Sequence, residues 1–175
     1  MSVPMHVFVQ ADVETSAEFQ AVSKIATSLH DHLNTDAALD LLRVANQPSQ
    51  SSALVQAAFL GAATDLGFTS EAKGLFASYE TSALRPDYYR KVGDTGILME
   101  VERGKTTTNN MDLLDFWKCH LCEHANYLFL LVPQELRHNP TMSPKREFNA
   151  VVKRLGAFFV PRNYTNVRAA FIYGY

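Results

Sequence analysis

The 175-residue chain has only two cysteines, Cys119 and Cys122, and two thiols three positions apart make no disulfide framework. That scarcity points to a reducing, cytoplasmic setting. No stretch reaches the roughly 18 apolar residues that a membrane span needs, and Met1 to Gln10 lacks the basic start and apolar centre of a signal peptide, so no membrane partner is expected. With eight glycines and seven prolines the chain is neither collagen-like nor low in complexity. Charge of one sign is also missing. A formal net charge of -2 argues against a protein that coats nucleic acid indiscriminately, while leaving local binding open. What the chain does have is apolar material, 47% of residues against 19% charged, enough for a sizeable core in one compact unit.

The small net charge conceals an asymmetry. Residues 1–84 contain three basic residues (Lys24, Arg43, Lys73) and nine acidic ones, whereas residues 85–175 contain thirteen and nine. After Glu147 there are no acids, only Lys153, Arg154, Arg162 and Arg168. Such a division suggests that the second part meets an anion.

The first part reads as helical. Ser16 can cap a helix carrying Phe19, Val22, Ile25, Ala26 and Leu29, and Asn34 or Thr35 a second carrying Ala38, Leu41, Leu42 and Ala45. Gln47 to Ser52 breaks the pattern at Pro48, and a third helix with Val55, Phe59, Ala62 and Leu66 on one stripe ends at Gly67. The period then changes. Lys73–Tyr79, Leu84–Val92 and Ile97–Arg103 read as strands, with Gly93-Asp94-Thr95-Gly96 as hairpin chemistry between the last two. Asn109 or Asn110 caps a helix with Leu114, Trp117 and Leu121, and Tyr127–Val132 is an apolar run suited to a strand buried on both faces. A helix from Ser143-Pro144 and a strand over Val167–Tyr175 close the chain. This order predicts an α/β fold with a mixed sheet covered on both faces, organised as an N-terminal helical extension over 1–47 and an α/β core over 48–175.

Chemistry concentrates in Arg85-Pro86-Asp87 and, after a twelve-residue gap, Glu100-Val101-Glu102. Alternation along a strand puts Leu98, Glu100 and Glu102 on one face and Ile97, Met99 and Val101 on the other. A four-residue turn pairing Val92 with Ile97 would set Tyr89 opposite Glu100 and Asp87 opposite Glu102. Three carboxylates would then converge, and like charges at that range either retain a proton or enclose a cation. Hard oxygen donors without a nearby imidazole suit Mg²⁺ or Mn²⁺. The plainer alternative is a solvated strand face.

This pattern resembles the PD-(D/E)xK motif of the restriction-endonuclease-like nuclease superfamily, and the order helix, three strands, helix, strand over roughly 52–132 is similar to that superfamily's α-β-β-β-α-β core. The resemblance implies a metal-dependent endonuclease acting on DNA, with Asp87 and Glu100 as metal-binding acids and Mg²⁺ (or Mn²⁺) as cofactor. Glu102 stands where the family usually has Lys, a departure that some restriction enzymes share; it joins Asp87 and Glu100 as an expected metal ligand. Lys105 would supply the missing positive charge, and Gln56 corresponds to a residue near the metal. The alternative is an inactive member of the fold that binds nucleic acid or a protein partner.

Other motifs carry less. Gly104-Lys105-Thr106 ends like a phosphate-binding loop but has Met99 where that loop needs glycine. Cys119, His120, Cys122 and His124 lie on one predicted helix, and four ligands on a straight helix cannot surround a tetrahedral zinc ion. Lys145, Arg146 and Lys153, with Arg103 at the strand end, are the candidate DNA-backbone contacts, read against an ordinary solvated surface. The leading helices offer a homodimer surface or a lid.

Overall fold

A computed structural model describes residues 2–47, 50–70, 85–104, 106–136 and 143–175. Its elements run β1 (Met5–Val9), α1 (Ala17–Leu33), α2 (Asp36–Ala45), α3 (Ser52–Asp65), β2 (Thr69–Ser70), β3 (Tyr88–Val92), β4 (Thr95–Val101), α4 (Met111–Leu121), β5 (Tyr127–Val132), α5 (Glu147–Gly156), a 3₁₀ turn (Ala157–Phe159) and β6 (Ala169–Gly174). The strands form one mixed sheet in the order β1-β6-β5-β4-β3-β2. β2, β3 and β4 are an antiparallel meander, β4, β5 and β6 run parallel, and β1 closes the far edge antiparallel to β6. Mixed α/β architecture, with helices on both faces, is thus observed.

Local chemistry explains the helix boundaries. Ser16 Oγ accepts from Phe19 N–H at 3.0 Å and starts α1, while Thr35 Oγ1 accepts from Ala38 N–H at 3.4 Å and starts α2. Gly67, at φ +82°, ends the α3 segment in a conformation that glycine adopts without a Cβ penalty. The last helix begins at Glu147, not Ser143, because the Lys145 and Leu136 backbones exchange hydrogen bonds as an antiparallel bridge first. The strand expected at Lys73–Tyr79 lies outside the described residues.

Two apolar layers sandwich the sheet. On one face Ile97, Met99, Val101, Phe129 and Phe171 pack against α1, α2 and α3. On the other, Leu98, Leu128, Leu130 and Ile172 pack against Phe116 and Cys119 of α4 and Val151 and Leu155 of α5. β1 was not foreseen, and it draws Met5–Val9 into the sheet; α1, from the same expected extension, covers one sheet face.

The β3–β4 hairpin sets the register of the acidic residues. Val92 pairs with Thr95, so the turn is Gly93-Asp94 alone, and Gly93 at φ +57° suits the two-residue Gly-X form. Gly96 therefore lies within the strand. A Cβ there would stand 2.4 Å from Tyr89 Cε2, 2.8 Å from Arg90 O and 2.9 Å from His124 O. Two of these neighbours are backbone and cannot swing away. Gly96→Ala is expected to cost about 1–3 kcal/mol, measured by urea unfolding, whereas a solvent-facing strand glycine would tolerate the change.

Candidate acidic site

The observed register moves the acids by two residues from expectation while keeping them on one face. Tyr88 pairs with Met99, which brings Asp87, just before β3, level with Glu100 instead of Glu102. The contact is reciprocal: Asp87 N–H donates to Glu100 Oε2 at 3.2 Å, and Val101 N–H donates to Asp87 Oδ2 at 3.0 Å. Each acid is therefore held by a backbone donor on the other strand. Strand alternation aims Glu100 toward the layer occupied by α4, as its face-mate Leu98 already shows.

From α4 come two residues that sequence reasoning missed. Lys118 Nζ lies 3.0 Å from Glu100 Oε1 and 3.0 Å from Asp115 Oδ1. Glu100 and Asp115 are buried, and Asp87, Glu102 and Lys118 are half-buried, so the cluster opens to solvent on the Asp87 and Glu102 side. Asp115 Oδ2 is buried without a donor among the described residues. The Glu102 carboxyl lies near Asp115, and each shifts the other's pKa.

The electrostatics follow from four carboxyls facing one ammonium. Burial, reinforced by the Asp115 charge, pushes the Glu100 carboxyl up to about 8 despite the opposing attraction of Lys118. Burial and then Asp115 push Glu102 up to about 8 as well. Asp115 is raised by its burial against the pull of Lys118. Burial alone would lower the Lys118 pKa, but Glu100 and Asp115 overcome it and hold the ammonium charged above its ordinary range. Near neutral pH the cluster balances its charge with protons and Lys118. Among the described residues no three acidic, histidine or cysteine side chains are arranged to hold a metal ion. The donor set itself is all oxygen and in excess of the single cation, which is the chemistry that suits Mg²⁺ or Mn²⁺.

The remaining expected residues are placed as follows. Lys105 lies outside the described residues. Gln56 is half-buried on α3, whose core residues pack on the sheet face opposite Glu100, and it is not brought to the cluster. Arg103 donates to the carbonyls of Ala45, Gln47 and Gln50, closing the C-terminal end of α2, which leaves its guanidinium committed to structure. Lys145 pairs with buried Glu147 at 3.1 Å and donates to Thr107 and Thr108. Glu147 Oε2 in turn accepts from Thr107 Oγ1 at 2.6 Å, so the threonine edge beside the acids is tied into α5. Arg146 and Lys153 are exposed and make no ion pair with a described residue.

No protein-family model matches this chain, and no curated protein does. Whatever the cluster does is therefore argued from its own chemistry. Among the described residues the cysteine–histidine run forms no group of metal ligands: Cys119 and Cys122 are buried thiols, Cys122 Sγ accepts from His124 N–H at 3.3 Å, and His120 turns toward Thr165 and Asn166.

Proposed function

We propose that this chain is a divalent-metal-dependent phosphodiesterase that hydrolyses DNA as an endonuclease, with a restriction-endonuclease-like core. The observation that carries the reading is the reciprocal lock of Asp87 and Glu100 across neighbouring strands, with Glu102 within electrostatic reach of Asp87 and Asp115. The element order α3-β2-β3-β4-α4-β5, in adjacent strands β2-β3-β4-β5, supports it. Asp87, Glu100 and Glu102 would hold Mg²⁺ or Mn²⁺, although as placed here their carboxyls are not gathered around one metal position. Such an ion supplies Lewis acidity and lowers the pKa of water bound to it.

The chain's own residues do the rest. Asp115 adds a fourth, buried carboxyl whose charge raises the Glu102 pKa and attracts a cation to the cluster. Lys118 keeps a positive charge among the acids, the part the resemblance assigns to the residue at the Glu102 position. Of the expected DNA contacts, Arg146 and Lys153, exposed on the α5 side and without an ion pair to a described residue, are the two left to meet a phosphate backbone. Arg103 and Lys145 act indirectly, by holding the loops on either side of the acids.

One observation favours a second reading, a non-catalytic module of the same fold that binds nucleic acid or a protein. Lys118 already neutralises Glu100 and Asp115, and a cluster closed in this way needs no metal to be stable. Incubation with supercoiled plasmid and Mg²⁺ separates the two. Cleavage by the wild type and its loss in Asp87→Ala and Glu100→Ala is the expected result. Equal nicking by all three proteins removes the assignment, and DNA binding indifferent to Mg²⁺ and to Glu102→Gln identifies the module.

A further inference from the structure

Helix α4 carries the acidic cluster on one side and an unclaimed cavity on another. The cavity measures about 670 Å³ and is lined chiefly by apolar side chains, among them Leu113, Phe116, Trp117 and Phe158. Phe116 and Phe158 stack at 4.3 Å between ring centroids and give it an aromatic floor. At its mouth stand Trp117, 42% exposed, and Tyr164, 96% exposed, although tyrosine and tryptophan ordinarily bury much of their rings. An aromatic slot with two uncovered rings is suited to a flat ring system that stacks.

A smaller, polar chamber of about 230 Å³ shares His120, Tyr164 and Thr165 with the first and adds Gln10, Asn163 and Asn166. Its hydrogen-bonding character follows from what is already used. Gln10 Nε2 donates to Thr165 O and Val167 O, Asn163 Nδ2 to Ala157 O, and Asn166 Nδ2 to His120 O. Gln10 has both amide hydrogens engaged and Asn163 and Asn166 one each, while no described residue donates to the three side-chain carbonyl oxygens. Oxygens of this kind welcome hydroxyl groups, and the second amide hydrogens of Asn163 and Asn166 can donate to a hydroxyl oxygen in return. His120 is fixed in the same manner: Asn166 N–H donates to its Nδ1 at 3.1 Å, which places the proton of the neutral ring on Nε2 and makes that nitrogen a donor where the two chambers meet.

We propose that these joined cavities form a nucleoside site, with the base held in the aromatic slot beside Trp117 and Tyr164 and the sugar hydroxyls donating to the amide oxygens of Gln10, Asn163 and Asn166. The base edge accepts from His120 Nε2–H. The inference needs neither metal nor cleavage and stands or falls apart from the activity proposed above.

Trp117 is the only tryptophan in the chain, so its fluorescence reports on the slot directly. Adenosine, added to the intact protein without divalent metal, should quench it saturably with a Kd of about 0.1–1 mM. Free adenine, which lacks the sugar, should bind about tenfold more weakly. Tyr164→Ala should also weaken adenosine about tenfold, and at 96% exposure that side chain is not needed for folding. His120→Phe should lose the preference for adenosine over a purine lacking ring-edge acceptors. Absence of saturable quenching overturns the proposal, as do equal affinities for adenine and adenosine or an unchanged Tyr164→Ala. Quenching by a short oligodeoxyadenylate but not by adenosine also overturns it, since the slot would then read a strand.

Discussion

Replacing Lys118 with methionine is expected to lower stability by about 3–5 kcal/mol at pH 8, as for other buried ion pairs that lose one partner. Methionine keeps most of the apolar stem, so the loss isolates the charge. The reason is geometric. A single ammonium at 3.0 Å from both Glu100 and Asp115 satisfies two carboxyls that have little access to water. Without it, each must take up a proton or stand ionised in an apolar layer. At pH 5.5 proton uptake is easier, so the same substitution should cost less there. Adding Glu100→Gln to Lys118→Met should recover part of the loss at pH 8, because it removes one of the stranded charges. Urea unfolding of the wild type, the two single variants and the double variant measures all of this. A cost below about 1 kcal/mol at pH 8 would mean that water screens the pair and that Lys118 does not organise the cluster.

Lys118 and Asp115 also mark where the sequence ceased to be legible. The apolar positions Leu114, Trp117 and Leu121 look like the buried stripe of α4, and an apolar stripe normally faces the core. In the structure Trp117 and Leu121 are exposed, and the buried face is Asp112, Asp115, Phe116 and Cys119. A helix that buries two acids has exchanged hydrophobic burial for ion pairs: Asp115 with Lys118, and Asp112 with Arg154 at 3.3 Å. The signal was present as Asp112, Asp115, Phe116 and Cys119 at helical spacing, but it competes with the stronger apolar pattern. The same exchange of faces leaves Trp117 uncovered beside the cavity.

Elements with redundant local signals were readable. The Ser16 and Thr35 caps, the Gly67 stop and the uninterrupted Tyr127–Val132 run each combine backbone preference with burial, and all lie where expected. The acids share a face because strand alternation has a period of two, which survives a two-residue error in register. The register itself was not readable, since Gly93 and Gly96 allow either a two- or a four-residue turn and only the packing of Gly96 against Tyr89 and His124 selects the shorter. β1 was missed because a five-residue edge strand, half-buried throughout, carries little signal without its partner β6.

Wild-type protein without divalent metal should be more stable at pH 5.5 than at pH 8.5, a direction opposite to that of ordinary acid denaturation. Glu100 and Glu102 are raised from about 4.5 in the unfolded chain to about 8 in the folded one. The folded state therefore holds their protons more tightly, and that contribution is complete below about pH 4.5 and is lost as pH rises through about 8. A fall of about 5 °C or more in melting temperature between pH 5.5 and 8.5 is the expected size for a domain of this length. Glu100→Gln and Glu102→Gln should each flatten the slope, since an amide has no proton to lose. If the proposed site takes Mn²⁺, the ion acts on the same groups with the opposite sign, because it binds carboxylates only after they are deprotonated. Its stabilising effect should accordingly be large at pH 8.5, nearly absent at pH 5.5, and abolished by Asp87→Asn. A slope that persists with both glutamates replaced would place the protons elsewhere. A Mn²⁺ shift independent of pH and of Asp87 would mean that the ion binds outside the cluster, leaving the acids as a lysine-neutralised part of the fold.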